Sequence, residues 1–571
     1  SPIPNPQSPI PNPHMESKLF KNNLKKLMYE RIKKISEYLN KENKNPSFYL
    51  SSELFKKYDI FKKWLIENGA IFTKNIDFPY VYGPFNLIGC KSVSEIKENE
   101  SILLIPKKLM IITRELNSID ELIKDIKEEL DIKYDIPTIY LTLYLYLENK
   151  NKNSFFRPYL NLIFSNYNFF KDFTEENMKY FNNDENMIKS IKNAIGDLNE
   201  LYNIIKQNKS FSEINKDEFY FCYSQVISRQ FYIDENTSAL IPLADLLNHK
   251  NINVHYELYD SQNYVFKNSS DFTTDIVSNI DIRPSFIKEL PRLKDYDVAS
   301  LKPFNLNKIK SKSKLNNKKF IEIKDSDYFS ISTSKGESII KGSQAFNNYF
   351  NGRNKYFLKN YGFCLIDNRY DYTSMIIKIK KRKDKWQDKY LEILFRKRYK
   401  NKQFLKIKIH FNKVSFYLIK YYRFLYFYEE KNDMNQYIDY KFDIELEINF
   451  ISLSIKCLKS HLNLLSKNND NIENEIGELE SELYNKKNNK TNSFKVNAYI
   501  YRITQKINIM NQIDILECLL SIMNKHKKEI KDYIDLLDYE KEFINISQFD
   551  SDKLSKIKIV LFIKKIFDVN K

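Results

Sequence analysis

The stretch Ile241–His249 places an aspartate inside an apolar run and follows it closely with Asn-His. It reads IPLADLLNH. A buried carboxylate costs free energy unless hydrogen bonds or charges compensate it, so Asp245 needs a partner. Two interpretations are open from these residues alone. One is a helix end capped by Asn248 with His249 as a hydrogen-bonded neighbour, and the other is the polar floor of a pocket.

Glycine is scarce in this chain, so its placement is informative. Only nine of the 571 residues are glycine. Six of them fall in two β-rich segments, as Gly83, Gly89, Gly336, Gly342, Gly352 and Gly362. Glycine permits positive φ and close backbone approach, so both segments are candidate ligand-proximal turns, with ordinary hairpin turns as the plainer alternative. No G-x-G-x-x-G or P-loop pattern occurs, which leaves Rossmann and P-loop nucleotide binding without support.

The composition excludes several classes of protein. Lys and Arg number 92 against 74 Asp and Glu, a net charge of +18, and 42% of the residues are hydrophobic. That hydrophobic content excludes global disorder. The five cysteines form no C-x-x-C pair and the six histidines no H-E-x-x-H motif, so we expect no metal site, no disulfide framework and a reducing compartment. The longest strongly apolar stretch, Ile139–Leu147, is far shorter than the roughly 20 residues of a membrane-spanning helix.

Lysine dominates the positive charge, with 79 Lys against 13 Arg. Lysine enrichment beside abundant Asn and Ile is typical of a solvated surface in a chain from an AT-rich genome, whereas a nucleic-acid binder concentrates Arg and Lys on one face. Nucleic acid is therefore an open but less favoured partner.

Six sequence blocks, in order over residues 64–363, resemble the SET domain of the Rubisco large-subunit methyltransferase-like family. They are WLIENGA (64–70), ENESILLIPKKLMI (98–111), SFFRPYLNLI (154–163), YSQVISRQF (223–231), PLADLLNH with NVHYEL (242–249 and 253–258) and KGSQAFNNYFNGRNKYFLKNYGF (341–363). A weaker similarity to the family's helical substrate-binding domain covers the rest, notably residues 498–516. The family methylates lysine, and in one case histidine, in proteins. The resemblance implies an α+β fold, a SET domain of small β-sheets with a helical insertion, followed by a mainly α-helical substrate-binding domain.

The resemblance also implies S-adenosylmethionine (AdoMet) as cofactor and a role for each matching residue. The implied cofactor-binding residues are Asn86, Ile88, Arg229, Asn248, His249 and Tyr349. The implied walls of the substrate channel are Phe231, Asp245, Tyr256 and Tyr361. Arg229 would pair with the AdoMet carboxylate, which a planar guanidinium suits better than an ammonium group. Tyr349 matches the family's active-site tyrosine, so it is the expected catalytic residue.

The chain departs from the family pattern at two turns. In the first, Asn86–Gly89 keeps only the second glycine of the usual G-x-G. In the second, Ser343 replaces a glutamate, Asn347 replaces an apolar channel residue, and Phe350 stands where the family has glycine, with Gly352 two residues later. These changes bear on activity and on the identity of the target residue.

The patterns along the chain predict the elements that position these residues. A continuous apolar run at Ser101–Ile105 predicts a strand, and Phe61–Ala70 predicts a short helix ended by Gly69. The chain is predicted to begin with a low-complexity, proline-rich tail or expression remnant at 1–14 and an N-terminal helical segment at 16–60. A SET domain follows at 61–372, with a helical insertion at 118–220 and a disordered insertion at 260–325. The rest, 373–571, is predicted to be a helical substrate-binding-like domain with a low-complexity break near 466–495.

From these observations we expect an AdoMet-dependent protein-lysine N-methyltransferase. We expect it to act on a non-histone or histone protein as a monomer in the cytoplasm or nucleus, with no metal and no membrane. One alternative is a SET-like scaffold without catalysis that binds protein or nucleic acid, which the altered turns favour. The other is a protein-histidine methyltransferase, because a polar channel residue such as Asn347 suits an imidazole.

Overall fold

The computed structural model describes residues 27–43, 50–181, 184–234, 236–259, 265–268, 327–378, 404–410, 417–430, 443–466, 471–484 and 491–525. The predicted tail at 1–14 and most of the predicted insertion at 260–325 lie outside these ranges. The chain forms two compact units, one of residues 42–363 and one of residues 1–41 with 364–571. We call them the mixed unit and the helical unit. Within the described ranges, no helix combines the length and apolar character needed to cross a membrane.

The mixed unit is built on three small sheets. Its strands are β1 (Ile76–Tyr82), β2 (Leu87–Ser92), β3 (Ser101–Pro106), β4 (Ile111–Ile112), β5 (Phe231–Asp234), β6 (Thr237–Leu240), β7 (Asn248–His249), β8 (Val254–Tyr259), β9 (Val265–Asn268), β10 (Tyr328–Thr333) and β11 (Gln344–Asn347). The sheet orders are β1-β2-β11-β7, β3-β10-β8-β9 and β4-β6-β5. The predicted strand at Ser101–Ile105 is β3, whose four central residues are buried.

Helices pack around these sheets and supply much of the core. Those of the mixed unit are α2 (Ser52–Glu67), α3 (Asn117–Leu122), α4 (Lys127–Lys133), α5 (Ile136–Lys150), α6 (Arg157–Ile163), α7 (Glu175–Met178), α8 (Glu185–Gln207), α9 (Lys216–Arg229) and α10 (Asn354–Tyr361). The apolar run at 139–147 lies inside α5, whose Leu141, Leu143 and Leu145 are fully buried. A capping box at Asn215 and Glu218 begins α9, the helix that ends at Arg229.

The helical unit contains a β-ribbon as well as helices. Helix α1 spans residues 27–39. The other elements are β12 (Tyr372–Lys378), β13 (Phe404–His410), α11 (Tyr417–Glu430), α12 (Ile444–Leu465), α13 (Ile472–Tyr484) and α14 (Ser493–Lys525). The two strands pair antiparallel, and the Thr373 hydroxyl donates a hydrogen bond to the Gln505 carbonyl of α14, at 2.8 Å. Burial of alternate residues in β13, where Leu405, Ile407 and Ile409 are buried, is typical of a strand packed on one face.

Several expectations from the sequence need correction. The helix predicted at Phe61–Ala70 begins earlier, at Ser52, because the Ser51 hydroxyl caps it by accepting a hydrogen bond from the Leu54 amide. This helix runs across the predicted boundary at 60/61. Helix α1 belongs to the helical unit, where Arg31 binds Glu480 through two hydrogen bonds.

Two predicted low-complexity segments contain regular structure. Within the predicted break near 466–495, α13 forms because Ile476, Leu479 and Leu483 recur at helical spacing and are buried. Within the predicted insertion at 260–325, the short strand β9 pairs antiparallel with β8. The sequence reasoning also missed α10, which at eight residues is too short to show a clear period.

Candidate active site

The site is organised by a parallel pairing of two strands that are far apart in sequence. In register, Phe346 of β11 lies opposite Asn248 of β7, and Asn347 lies opposite His249. The other edge of β11 pairs antiparallel with β2, where Ala345 lies opposite Cys90. This crossing brings together the three segments that the sequence blocks singled out, around residues 86–91, 244–249 and 344–349.

Gly89 marks a close approach on one side of the crossing. The Asn248 side-chain amide donates to the Ile88 carbonyl, at 3.2 Å. A Cβ at position 89 would lie 2.6 Å from Asn248 Nδ2 and 2.8 Å from Gln344 Nε2. Only glycine leaves room there, so the one glycine retained from the family turn stands where the backbone and two amide side chains meet.

A buried ionic network lies beside the crossing. Arg229 Nη1 is 3.2 Å from Asp245 Oδ2, and the two side chains are 18% and 3% exposed. Tyr159 donates its hydroxyl proton to the same carboxylate oxygen, at 2.8 Å, and Arg229 Nε donates to Gln225 Oε1, at 3.3 Å. The aspartate inside the apolar run therefore has both a charge partner and a hydrogen-bond partner, as its burial requires.

Burial and charge shift the pKa values of this network in opposite directions. Burial raises the pKa of Asp245, while the Arg229 charge and the Tyr159 hydrogen bond oppose that rise. Burial acts to lower the pKa of Arg229, but the charge and hydrogen bond of Asp245, together with the neighbouring Tyr159 and Tyr349, more than offset it, and this pKa is raised. The guanidinium is therefore a fixed positive group.

Tyr349 lies two residues after the end of β11 and is held at its backbone and at its hydroxyl. Its backbone N–H donates to His249 Nδ1, at 3.0 Å, and its hydroxyl donates to the Leu247 carbonyl, at 3.1 Å. Burial raises the pKa of Tyr349, so the phenol stays protonated. Burial also lowers the pKa of His249 to about 3, which keeps Nδ1 unprotonated and able to accept.

Aromatic side chains form the other side of the site. Tyr349 stacks on Tyr361 with ring centroids 5.3 Å apart, and Phe231 meets Tyr256 edge to face at 5.8 Å. The Tyr256 hydroxyl lies 2.5 Å from Asn347 Oδ1 and 2.6 Å from the Asn348 carbonyl. The polar Asn347 is accommodated in a fully buried position because this hydroxyl is its neighbour.

The displaced glycine at the second turn has a steric explanation. Phe350 is buried against Phe357, with ring centroids 4.9 Å apart. A Cβ at Gly352 would lie 1.9 Å from the Phe350 ring. The glycine therefore sits where it makes room for the bulky residue that replaced the family's glycine, and the two departures compensate each other.

Most of the residues predicted from sequence lie together. Each of the following residues contacts another of them or a strand of the crossing: Ile88, Arg229, Phe231, Asp245, Asn248, His249, Tyr256, Tyr349 and Tyr361. Asn86 is different. It is exposed in the β1–β2 turn with a φ of 54°, and its side chain accepts a hydrogen bond from Asn43 at 3.3 Å. Asp245 holds Arg229 and Tyr159, which ties it to the ionic network more than to the aromatic wall.

Sequence reasoning missed two members of the network, Tyr159 and Gln225. Tyr159 lies in the block 154–163, and a buried tyrosine generally needs a hydrogen-bond partner. Gln225 precedes Arg229 by four residues on α9, a spacing that places two side chains on the same helix face. Both signals were present in the sequence, but neither specifies which carboxylate or guanidinium would be the partner.

The site has buried polar groups suited to a polar ligand. Within the described ranges no three His, Cys, Asp or Glu residues cluster as metal ligands. His249 Nε2, Gln344 Oε1 and Asn347 Nδ2 are buried and have no hydrogen-bond partner among those residues. Such atoms are costly to bury. Together with the close approach at Gly89 they fit the placement of AdoMet that the sequence blocks imply.

Comparison with known proteins points the same way. No protein-family model matches the chain. Actin-histidine N-methyltransferases of Gallus gallus and Xenopus tropicalis are each 26% identical over 250 residues. That alignment covers 41% of this chain and 41% of the Gallus gallus protein. The chain thus matches about two fifths of the length of these curated relatives.

Solved structures extend the likeness to most of the chain. The SET domain of LSMT bound to lysine and AdoHcy aligns with a TM-score of 0.52 at 16% identity, over 85% of this chain and 98% of that one. Rubisco LSMT bound to sinefungin and monomethyllysine aligns with a TM-score of 0.50 at 16% identity, over 86% of this chain and 99% of that one.

The chain has the SET-domain fold of LSMT. The predicted α+β class, with small sheets, a helical insertion and a helical C-terminal region, is confirmed. The aligned 85% of the chain is more than the mixed unit alone contains, so the likeness to LSMT includes residues of the helical unit. In this SET fold, the crossing of β7 and β11 carries Asn248 and His249, and Tyr349 lies two residues after it.

Proposed function

We propose that this chain is an AdoMet-dependent methyltransferase that acts on a nitrogen atom of a protein side chain. The observation that carries the proposal is the placement of two unlike groups at one strand crossing. One is an arginine held in a buried ion pair, and the other is a buried, protonated tyrosine among aromatic rings. The names of the curated relatives and the ligands bound in the aligned structures support it.

Different residues would bind the cofactor and contact the methyl group. Arg229 would bind the carboxylate of AdoMet, and Asn248 with the backbone near Gly89 would hold the nucleoside end. When bound, AdoMet supplies an electrophilic methyl group. The Tyr349 hydroxyl donates a hydrogen bond to the Leu247 carbonyl, which leaves the lone pairs of the phenol oxygen for the partly positive methyl group.

The aromatic walls of the channel would help to keep the acceptor nitrogen in its neutral, nucleophilic form. Phe231, Tyr256 and Tyr361 are buried or partly buried rings that would exclude water from a narrow channel. Desolvation lowers the pKa of an amine or imidazole, which yields the neutral nucleophile that methyl transfer needs. Holding that nucleophile in line with the methyl group contributes by reducing the entropy lost in the reaction. We further propose that the helical unit binds the substrate protein.

Two acceptors are candidates. Curated relatives such as those of Gallus gallus and Xenopus tropicalis are named actin-histidine N-methyltransferases, which favours histidine over the lysine that the sequence blocks put first. The buried Asn347 is in keeping with that choice, so a histidine of actin is the first acceptor to test. Lysine is the second candidate because a channel walled by Phe231, Tyr256 and Tyr361 offers ring faces that attract an ammonium or methylammonium group.

Incubation with isotopically labelled AdoMet and purified actin or whole-cell lysate, followed by mass spectrometry, would identify the acceptor residue. The pH profile gives an independent answer. A histidine acceptor should be half-maximal near its ordinary pKa of about 6.5 and level off about one to two pH units higher, whereas a lysine acceptor should keep gaining rate toward its ordinary pKa of about 10.4. A scaffold without catalysis would label nothing, and failure of AdoMet or AdoHcy to raise the unfolding temperature would contradict the cofactor assignment as well.

A further inference from the structure

Asp245 occupies one edge of the Arg229 guanidinium. Arg229 lies at the end of α9, where Nη1 contacts the carboxylate at 3.2 Å and the Asp245 carbonyl at 3.5 Å. Gln225 accepts from Nε at 3.3 Å. Three of the guanidinium contacts are thus fixed by the chain itself, and the second terminal nitrogen, Nη2, makes no hydrogen bond to the residues that the structure describes.

The carboxylate is itself held rigidly. Asp245 lies in a short 3-10 turn directly after Leu243, which has a φ of 73°. Its oxygen Oδ2 also accepts the Tyr159 hydroxyl, at 2.8 Å, and the side chain is 3% exposed. A guanidinium on a long flexible stem loses rotamer entropy when it binds an anion, and a carboxylate fixed in this way removes that loss in advance.

We propose that Asp245, supported by Tyr159, is a positioning residue that clamps Arg229 so that Nη2 is presented to the carboxylate of the bound cofactor. This inference rests on the proposed function, since it needs AdoMet or its product in the site. Asp245 does not touch the cofactor in this arrangement. It acts through Arg229, and its effect is confined to ligands that carry the amino-acid portion of AdoMet.

Simple electrostatics predicts that removing the Asp245 charge strengthens cofactor binding, whereas the positioning role predicts that it weakens binding. A buried negative charge beside an arginine repels an incoming carboxylate. If charge alone decided affinity, Asp245→Asn would bind the cofactor more tightly. If positioning decides it, Asp245→Asn binds less tightly, because the neutral amide cannot hold the guanidinium through a charge-assisted hydrogen bond.

The experiment uses the full chain and calorimetric binding of two probes. One is AdoHcy, which carries the amino-acid carboxylate, and the other is 5′-deoxy-5′-methylthioadenosine, which has the nucleoside and thioether without that carboxylate. Asp245→Asn should lose about tenfold or more in affinity for AdoHcy and change little for methylthioadenosine. Tyr159→Phe leaves both charges in place and should cause a smaller loss for AdoHcy alone, so it serves if Asp245→Asn does not fold.

Asp120→Asn is the matched control, because Asp120 also accepts from a tyrosine, Tyr140, and from a cation, Lys127, but outside the site. It should leave both probes unaffected. Unchanged or tighter AdoHcy binding in Asp245→Asn overturns the positioning role. An equal loss for both probes overturns it too, since that marks general damage to the pocket. A wild-type chain that binds neither probe contradicts the proposed function instead.

Discussion

The two sides of the strand crossing are held by different forces. On the charged side, Arg229 and Asp245 form a buried ion pair in which each group depends on the other. On the aromatic side, Tyr349 and Tyr256 are neutral, and their hydroxyls are near backbone carbonyls. This difference indicates which side-chain groups can be removed from each side without destabilising the fold. A broken ion pair leaves an uncompensated charge in the interior, whereas a missing phenol oxygen leaves a ring that still packs.

Arg229→Ala should have the largest effect, and it should act on stability as well as on binding. It leaves the Asp245 carboxylate buried without its cation, which costs on the order of 3–5 kcal/mol of folding free energy. AdoMet binding should weaken by about 1.5–3 kcal/mol, the range for hydrogen bonds to charged groups. Urea unfolding and calorimetry measure the two quantities, and Arg229→Lys should recover part of the affinity.

A double variant separates the two effects. Adding Asp245→Asn to Arg229→Ala removes the orphaned charge, so stability should return in part while cofactor affinity stays low. If Arg229→Ala binds AdoMet as tightly as wild type, Arg229 does not belong to the cofactor site and the ion pair is purely structural.

Tyr349→Phe should instead leave stability and binding nearly unchanged and reduce turnover. The ring still stacks on Tyr361, and the backbone hydrogen bond to His249 is retained. The loss of one well-placed polar group should lower kcat by about 10²-fold or more. Tyr220→Phe is a suitable control, because the Tyr220 hydroxyl has no hydrogen-bond partner among the described residues. Full turnover in Tyr349→Phe at normal AdoMet affinity would remove this tyrosine from catalysis.

Gly352→Ala tests whether the aromatic side depends on packing alone. The added methyl group would clash with the Phe350 ring, and overpacking of this kind costs typically about 1–3 kcal/mol. Phe350→Leu should relieve much of that cost in the double variant. Thermal unfolding of the four chains measures the coupling. Simple additivity of the two changes would mean that Phe350 and Gly352 do not compensate each other.

The smallest expected effect is a dependence of stability on pH that comes from His249. Its pKa is lowered by burial to about 3, while in the unfolded chain it is ordinary, about 6.5. Between these values the unfolded chain binds a proton that the folded chain does not. Stability should therefore fall as the pH drops below about 6.5, by up to about 1.4 kcal/mol per pH unit for this group.

His255 should add to the same slope, because burial lowers its pKa to about 4. Unfolding in urea at pH 7.5, 6.0 and 5.0 would show the trend. His249→Asn keeps a possible acceptor for the Tyr349 N–H and removes the titrating ring, so its slope should be shallower than that of wild type. An identical slope would show that His249 is not buried in its neutral form.

The sequence predicted the local features of this molecule well and the distant pairings poorly. Strand β3 and helix α5 follow from continuous apolar runs, and the resemblance located Arg229 and Tyr349. The partner of Arg229 was not predictable, since nothing local joins it to Asp245 sixteen residues later. The fit between Phe350 and Gly352 depends on the Phe350 ring folding back over the backbone of the same turn. No rule of sequence spacing predicts that arrangement.

The crossing of β7 and β11 also has a consequence for how the protein folds. His249 and Tyr349 are 100 residues apart in sequence, so a long stretch of chain must close before the aromatic side of the site exists. Contacts of such separation form late and slow the search for the native state. The closure entropy, however, rises only by about 0.6 kcal/mol for each doubling of loop length. Evolution can therefore lengthen the connection between these strands at little cost, while the geometry at their meeting point is preserved.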